Sequence, residues 1–204
     1  HAQTDDTDAT RELLNGTISH GSEFLSPEWH ELATTYYGPK SGVGIAISNA
    51  HRPGGRRLGV IGLGAGTIAA YGRAGDVVRF YEINPLVMHI ARNEFYFLKE
   101  APAKVEIVPG DARLSLEREQ PQSYDVLAVD AFSGDSIPVH LLTVQAVQQY
   151  FRHVAPDGIV AIQLLMAGRI RLPVPYVAVQ FSIRSGGTQL HVTQPIRQVP
   201  AHVL

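Results

Sequence analysis

The feature that most constrains the fold is an alternation of apolar and amphipathic segments between residues 57 and 163. The apolar runs, which we predict to be strands, are RLGVIGL, VVRFYEI, KVEIVPG, YDVLAVDAF and GIVAIQLL. The segments between them, which we predict to be helices, are TIAAYGRA, PLVMHIARNEFYF, DARLSLERE and HLLTVQAVQQYFRHV. Strands that alternate with helices form right-handed βαβ units around a parallel sheet. We therefore predict an α/β fold in which helices cover both faces of a mostly parallel sheet.

The chain before this alternation forms a separate N-terminal segment, residues 1–52, which we expect to contain short strands and helices. One helix is predicted to begin near Ser26, because Ser is a good N-cap and Pro27 suits the first helical position. The segment ends at HRPGGRR, whose Gly and Pro residues mark a boundary. The second predicted domain covers residues 53–204.

The tail of this domain, residues 164–204, has an unusual composition. From Gly158 to Leu204 the chain contains no Asp, Glu or Lys. The strings YVAVQFSIR and TQLHVTQPI are typical of two strands around a Gly-containing turn. One interpretation is an antiparallel hairpin at the C-terminal edge of the sheet, and the other is an altered end of the natural chain.

Composition disfavours several function classes. The net charge of −2 argues against nucleic-acid binding, which favours basic patches. The chain has no Cys, and its nine His residues are scattered without a paired motif, so we expect no metal site. Because we find no signal peptide and no apolar run of membrane-spanning length, we expect a soluble domain in the cytoplasm.

Three glycines at alternate positions, Gly62, Gly64 and Gly66, follow the first predicted strand. Glycines at this place let the backbone turn tightly and approach a ligand at the carboxyl edge of the sheet. Thr67 stands where a nicotinamide dinucleotide site would have the third glycine of G-x-G-x-x-G, so this ligand is disfavoured. A tight turn without any ligand is the alternative.

Acidic residues follow three successive predicted strands, at Glu82, Asp111 and Asp130. Because the carboxyl ends of parallel strands meet at one edge, we expect these residues to share a site. Glu82, expected at an exposed strand end, could accept hydrogen bonds from both hydroxyls of a ribose. Asp111 also fits a helix N-cap, and Asp130 ends an apolar strand where it could act on a cationic amine. Each acid could instead be an ordinary solvated or loop-capping group.

These motifs resemble a known family. GLGAGT, FYEINP, VPGDAR and YDVLAVDAFSGDSIPVHLLT, in this order, resemble the spermidine synthase-like branch of the class I S-adenosylmethionine-dependent transferases. LLNGTISHGSEF and YYGPKSGVGIAI resemble the segment that precedes this core, so the resemblance covers about residues 12 to 163. It implies a Rossmann-like, class I methyltransferase-type sheet and a small N-terminal segment that contains strands.

The resemblance also implies roles for individual residues. The residues implied to contact a nucleoside donor are Gly62, Gly64, Gly66, Glu82 at the ribose and Asp111 near the adenine. Asp130 matches the base that acts on the attacking amine, and His20, Tyr37 and Asp135 are the implied substrate-binding residues. The implied donor is S-adenosylmethionine or its decarboxylated form, without a metal. The implied partner is a small amine or other nucleophile, and a homodimer is a further expectation.

Two departures from the family pattern concern charge. Polyamine synthases typically have GGGDGG at the glycine loop, and Ala65 stands here at the Asp position. The lost contact to an aminopropyl ammonium is typically worth roughly 1.5–3 kcal/mol. In the family motif D-x-x-D-P, Ser133 replaces the second acid, and Asp135 lies two positions later.

Three functions follow from this pattern. The leading hypothesis is a transferase that moves an aminopropyl group from decarboxylated S-adenosylmethionine to an amine. The second is an S-adenosylmethionine-dependent methyltransferase, which Ala65 favours because no acid is needed to hold an aminopropyl amine. The third is a nucleoside-binding or assembly domain without turnover.

Overall fold

The computed structural model describes residues 9–15, 18–130, 139–164 and 177–181. Its strands are β1 (Thr10–Asn15), β2 (Ile18–Phe24), β3 (Arg57–Ile61), β4 (Val77–Glu82), β5 (Lys104–Pro109), β6 (Tyr124–Val129), β7 (Val154–Leu164) and β8 (Val177–Phe181). Its α-helices are α1 (Gly42–Asn49), α2 (Pro85–Glu94), α3 (Ala112–Arg118) and α4 (Val144–His153). Short 3-10 segments cover Thr35–Tyr37, Thr67–Tyr71 and Val139–Leu141.

The main sheet has the strand order β5-β4-β3-β6-β7-β8. The pairs from β5 to β7 are parallel, and β8 pairs with β7 in the antiparallel direction. The five predicted parallel strands and the Rossmann-like fold class are therefore confirmed. Strand β8 lies within the first predicted strand of the tail, whereas the second, TQLHVTQPI, lies outside the described residues.

Helices cover both faces of this sheet, as predicted. Along the central strand β6, every side chain is buried, and from Val126 to Val129 alternate residues belong to two separate apolar clusters. Helices α1 and α2 contribute to the first cluster, together with Val126 and Ala128. Helices α3 and α4 contribute to the second, together with Leu127 and Val129. The alternation follows from the two-residue period of a strand, and burial on both faces is typical of parallel sheets.

Strands β1 and β2 form a separate antiparallel hairpin, which confirms the expected strand-containing N-terminal segment. The hairpin packs against the glycine loop that follows β3, where the Ala65 N–H donates to the His20 carbonyl oxygen at 3.0 Å. At its other end, the fully buried Glu23 accepts a hydrogen bond from the Tyr96 N–H at 2.6 Å. The boundary at residues 52 and 53 stays a prediction.

Two predicted helices are wrong in extent or type. The helix expected from Ser26 is a single turn, in which the N–H groups of Trp29 and His30 both donate to the Ser26 carbonyl. It stops because the following residues make tertiary contacts instead: the Thr34 hydroxyl donates to the Ser22 carbonyl, outside any helical pattern. The segment TIAAYGRA forms a 3-10 turn over Thr67–Tyr71, which ends where Gly72 leaves the helical conformation.

Helix α4 begins later than predicted. The expected segment started at His140, but the helix starts at Val144, because the Thr143 hydroxyl caps it by accepting the Ala146 N–H at 3.1 Å.

Within the described residues, no helix combines the length and apolar character needed to cross a membrane.

A buried ion pair stabilises the edge of the sheet where the strands begin. The Arg56 guanidinium donates to Asp76 at 2.6 Å and to the carbonyl oxygens of Ile47 and Tyr71. Burial alone would raise the pKa of Asp76, but hydrogen bonds from Arg56 and from the Arg73 N–H bring it below its usual value. Both charged groups therefore find their hydrogen-bond partners within the protein.

We expect Arg56→Leu to lower the free energy of unfolding by about 3–5 kcal/mol, because Asp76 would remain buried without its partner. The measurement is urea unfolding at neutral pH. The matched control is Arg113→Leu, which removes a more exposed ion pair to Glu117 on α3 and should cost less than about 1 kcal/mol. Similar losses in the two variants would contradict this account of the Arg56 pair.

Candidate functional site

A cavity of about 350 Å³ lies at the carboxyl ends of the parallel strands. It opens where the strand order reverses between β3 and β6, the place where open α/β sheets bind ligands. Its volume lies within the range of small-molecule sites. Of the sequence-predicted site residues, those that line it are His20, Gly62, Gly64, Glu82, Asp111 and Asp130.

Glu82 is the most firmly held acid of the cavity. It is 8% exposed, which corrects the expectation of an exposed strand end. One carboxylate oxygen accepts the Leu63 N–H at 3.0 Å, and the other accepts the Asn84 N–H at 2.7 Å. The side chain thus ties the glycine loop to the end of β4. Each oxygen keeps a further lone pair that a ligand hydroxyl could use.

The glycine loop owes its sequence partly to packing. Gly64 has φ +53°, and a Cβ at this position would lie 2.4 Å from the His20 carbonyl oxygen. Gly66 has φ +88° and does not line the cavity, and a Cβ there would lie 2.8 Å from a methyl carbon of Leu98. Of the three glycines, only Gly62 and Gly64 line the cavity. At position 66, the positive φ and the contact with Leu98 are enough to require glycine without any ligand.

Asp130 and Tyr37 meet at the edge of the cavity, although 93 positions separate them in sequence. The Tyr37 hydroxyl donates a hydrogen bond to the Asp130 carboxylate. Burial raises the pKa of Asp130 to about 7, and the hydrogen bond from Tyr37 opposes this rise only in part. Burial and the adjacent carboxylate raise the pKa of Tyr37, which therefore keeps its proton. Asp130 is thus poised to gain or lose a proton near neutral pH.

Tyr37 is itself held by its neighbours. Its side chain is 3% exposed, and its hydroxyl oxygen lies 3.2 Å from that of Tyr36. The Tyr36 hydroxyl donates to the Ser19 carbonyl at 3.2 Å, and the Tyr71 hydroxyl donates to the Tyr37 carbonyl. These contacts fix the phenol that orients Asp130.

Asp111 has the predicted capping role and a second partner. Its carboxylate accepts the Leu114 N–H at 2.9 Å at the start of α3. Its other oxygen lies 3.2 Å from Nε2 of His140. The sequence reasoning missed His140, which lines the cavity but carries no motif signal of its own. Asp135 lies outside the described residues.

Apolar residues form part of the cavity wall and were also missed. Ile83 and Leu86 are 68% and 61% exposed, and both line the cavity beside Glu82. The available signal was the position of Ile83, an apolar residue directly after the acid that ends its strand. Such exposed apolar side chains provide a surface on which a planar, weakly polar group could lie.

Among the described residues that line the cavity, the charged groups are acidic. Glu82, Asp111 and Asp130 are present together with His20 and His140, and Lys and Arg do not occur. Neighbouring carboxylates in a partly enclosed cavity favour a cationic ligand.

Other clusters do not bring the predicted site residues together. A wider groove of about 670 Å³ lies at the opposite edge of the sheet, where Arg56 and Asp76 already bind each other. On the surface, ligand atoms of His30, Glu31 and Glu100 lie within 4.8 Å of one another. The expectation that the protein uses no metal stays a prediction.

Comparisons with known proteins find similar chains over part of this sequence. A protein named polyamine aminopropyltransferase from Vibrio vulnificus (strain CMCP6) is 33% identical over 111 residues, which cover 50% of this chain and 36% of that protein. The crystal structure of a probable spermidine synthase from Corynebacterium glutamicum ATCC 13032 is 27% identical, with a TM-score of 0.51. That alignment covers 60% of this chain and 44% of the other.

A spermidine synthase structure from Thermotoga maritima aligns with 20% identity and a TM-score of 0.45, over 54% of this chain and 38% of the other. No protein-family model matches the chain. The chain spans about a third of the length of its Vibrio relative and less than half of these solved structures. The resemblance to the spermidine synthase-like branch is confirmed over the part of this chain that the Vibrio and Corynebacterium alignments cover.

We expect Glu82→Ala to lower the free energy of unfolding by about 1–3 kcal/mol without any ligand. The substitution would leave the N–H groups of Leu63 and Asn84 without their acceptor. Urea unfolding measures the loss, and Glu28→Ala, at an exposed position, is the control. Equal stability of Glu82→Ala and the parent would mean that the two backbone bonds are dispensable.

Asp130 should also make stability depend on pH. Its pKa is about 7 in the folded chain against an ordinary value of 3.8, so the folded state binds more protons between these values. Stability should therefore fall as pH rises from about 4 to about 7 and then level off. Asp130→Asn should show a smaller fall in thermal unfolding temperature over this range. Parallel curves for the parent and the variant would exclude Asp130 as the source.

Proposed function

We propose that this chain carries the nucleoside-binding and catalytic part of a spermidine synthase-like transferase. The proposed reaction moves an aminopropyl group from decarboxylated S-adenosylmethionine to a small amine. The observation that carries the proposal is the Tyr37–Asp130 pair at the edge of an acidic cavity, with the Asp130 pKa raised to about 7. The resemblance to a polyamine aminopropyltransferase supports the same class.

The cavity residues suit such a donor. Glu82 has a free lone pair on each oxygen for the ribose hydroxyls, and Ile83 and Leu86 offer an apolar surface for the adenine. The donor is a cation, so the carboxylates and the absence of Lys and Arg among the described lining residues favour it. The sulfonium supplies an activated carbon and leaves as a neutral thioether.

Asp130 would act on the acceptor amine. An alkylamine is mostly protonated near neutral pH and must lose a proton before its nitrogen can form a bond. The Asp130 carboxylate, held by Tyr37, would orient the ammonium and first accept its proton. The neutral nitrogen would then attack the carbon beside the sulfonium, so that the C–N bond forms as the C–S bond breaks. Positioning and the loss of the sulfonium charge would provide the rest of the rate enhancement.

A methyltransferase that uses S-adenosylmethionine is the second candidate. The specific observation in its favour is Ala65, which is buried and offers no acid for an aminopropyl ammonium. The backbone N–H of Ala65 is also engaged, because it donates to the His20 carbonyl oxygen. The two candidates differ in donor, so product analysis with each donor separates them.

We expect Asp130→Asn to lower single-turnover product formation by roughly 100-fold or more, while donor affinity stays close to that of the parent. The rate of the parent should rise with pH through about 7, as Asp130 ionises, and more steeply than the rate of the variant. The assay uses decarboxylated S-adenosylmethionine and putrescine, with donor binding measured in parallel by calorimetry.

Equal rates for parent and variant would remove Asp130 from the mechanism. Methylated product from S-adenosylmethionine, with none from its decarboxylated form, would favour the methyltransferase. Donor binding without turnover across several amines would favour a non-catalytic nucleoside-binding domain.

A further inference from the structure

The main chain of His20 is fixed against the glycine loop. Its carbonyl oxygen accepts the Ala65 N–H at 3.0 Å, and Gly64 packs against the same oxygen without room for a Cβ. Gly21 also packs closely, since a Cβ there would lie 2.8 Å from that of Ala65. The imidazole is therefore presented at the cavity wall from a rigid backbone.

One nitrogen of the His20 imidazole lacks a partner. Its Nε2 atom is buried and has no hydrogen-bond partner among the described residues. Burial lowers the pKa of His20, and the nearby Glu82 carboxylate opposes this effect. A neutral imidazole has one acceptor nitrogen, which is Nε2 in the tautomer that carries the proton on Nδ1. A buried polar atom without a partner costs stability unless a ligand supplies one.

The surroundings limit which ligand group this nitrogen could meet. Ala65, at the tip of the loop, has no polar side chain, and its N–H is engaged. Both oxygens of Glu82 accept backbone N–H groups, and their remaining lone pairs are those proposed for the ribose hydroxyls. The other titratable groups that line the cavity all have partners: Asp111 and His140 contact each other, Asp130 accepts from Tyr37, and the Tyr81 hydroxyl bonds to Glu119 and Tyr124. A cationic amine beside the glycine loop would find His20 as its neutral acceptor.

We propose that His20 accepts a hydrogen bond from the primary ammonium of the donor's aminopropyl tail, and so compensates for the missing acid at Ala65. This inference rests on the proposed function, because it assigns a donor that carries this amine. It makes His20 a specificity-determining residue that distinguishes the donor from the same nucleoside without the amine.

The test measures calorimetric affinity for two probes, decarboxylated S-adenosylmethionine and methylthioadenosine, which lacks the amine. His20→Leu removes the acceptor and should weaken binding of the first probe about 10-fold or more, with less than about a 2-fold change for the second. His20→Gln keeps a hydrogen-bonding group near Nε2 and should retain most of the affinity. His51→Gln, at the opposite edge of the sheet, is the control. Thermal unfolding checks that each variant is folded.

Equal weakening for both probes would overturn the inference, because His20 would then only shape the nucleoside pocket. Unchanged affinity of His20→Leu for the decarboxylated donor would overturn it as well, while the proposed function would stand. A parent protein that binds neither probe would overturn the proposed function and the assignment of His20 with it.

Discussion

The pairing of β3 with β6 is the constraint on which the site depends. The chain runs outward from β3 through β4 to β5, and then returns to place β6 on the other side of β3. The connections that leave β3 and β6 therefore diverge, and a crevice opens between them. Glu82 and Asp130 reach this crevice only because their strands lie on either side of β3 in parallel register.

The sequence alone predicts the sheet well, because each strand is a continuous apolar run bounded by turn residues. It also places acids at three strand ends, which follows from the common edge of a parallel sheet. It does not predict the contact between Tyr37 and Asp130, since these residues are brought together by the N-terminal segment rather than by the βα repeat. It also misses the burial of Glu82, which results from the glycine loop folding over the end of β4.

Local propensity failed where tertiary contacts competed with it. Ser26 and Pro27 are good helix-starting residues, yet the chain leaves the helical conformation within about one turn. The aromatic and hydroxyl side chains that follow are used to bind β2 and Asp130 instead. Such conflicts between local preference and tertiary structure often occur at functional sites. The conformation of the segment that contains Tyr37 is therefore set by its contacts to β2 and Asp130 and not by local helix propensity.

The close approach of Gly64 to the His20 carbonyl has a consequence for changing this protein. Two glycines, Gly21 and Gly64, lie at the same interface between the hairpin and the loop, and neither leaves room for a methyl group. A larger residue at either position would displace the hairpin from the glycine loop. The cavity would then change shape even at lining residues that had not been substituted. Attempts to redirect ligand preference are better directed at Ile83 and Leu86, whose exposed side chains lie free of this interface.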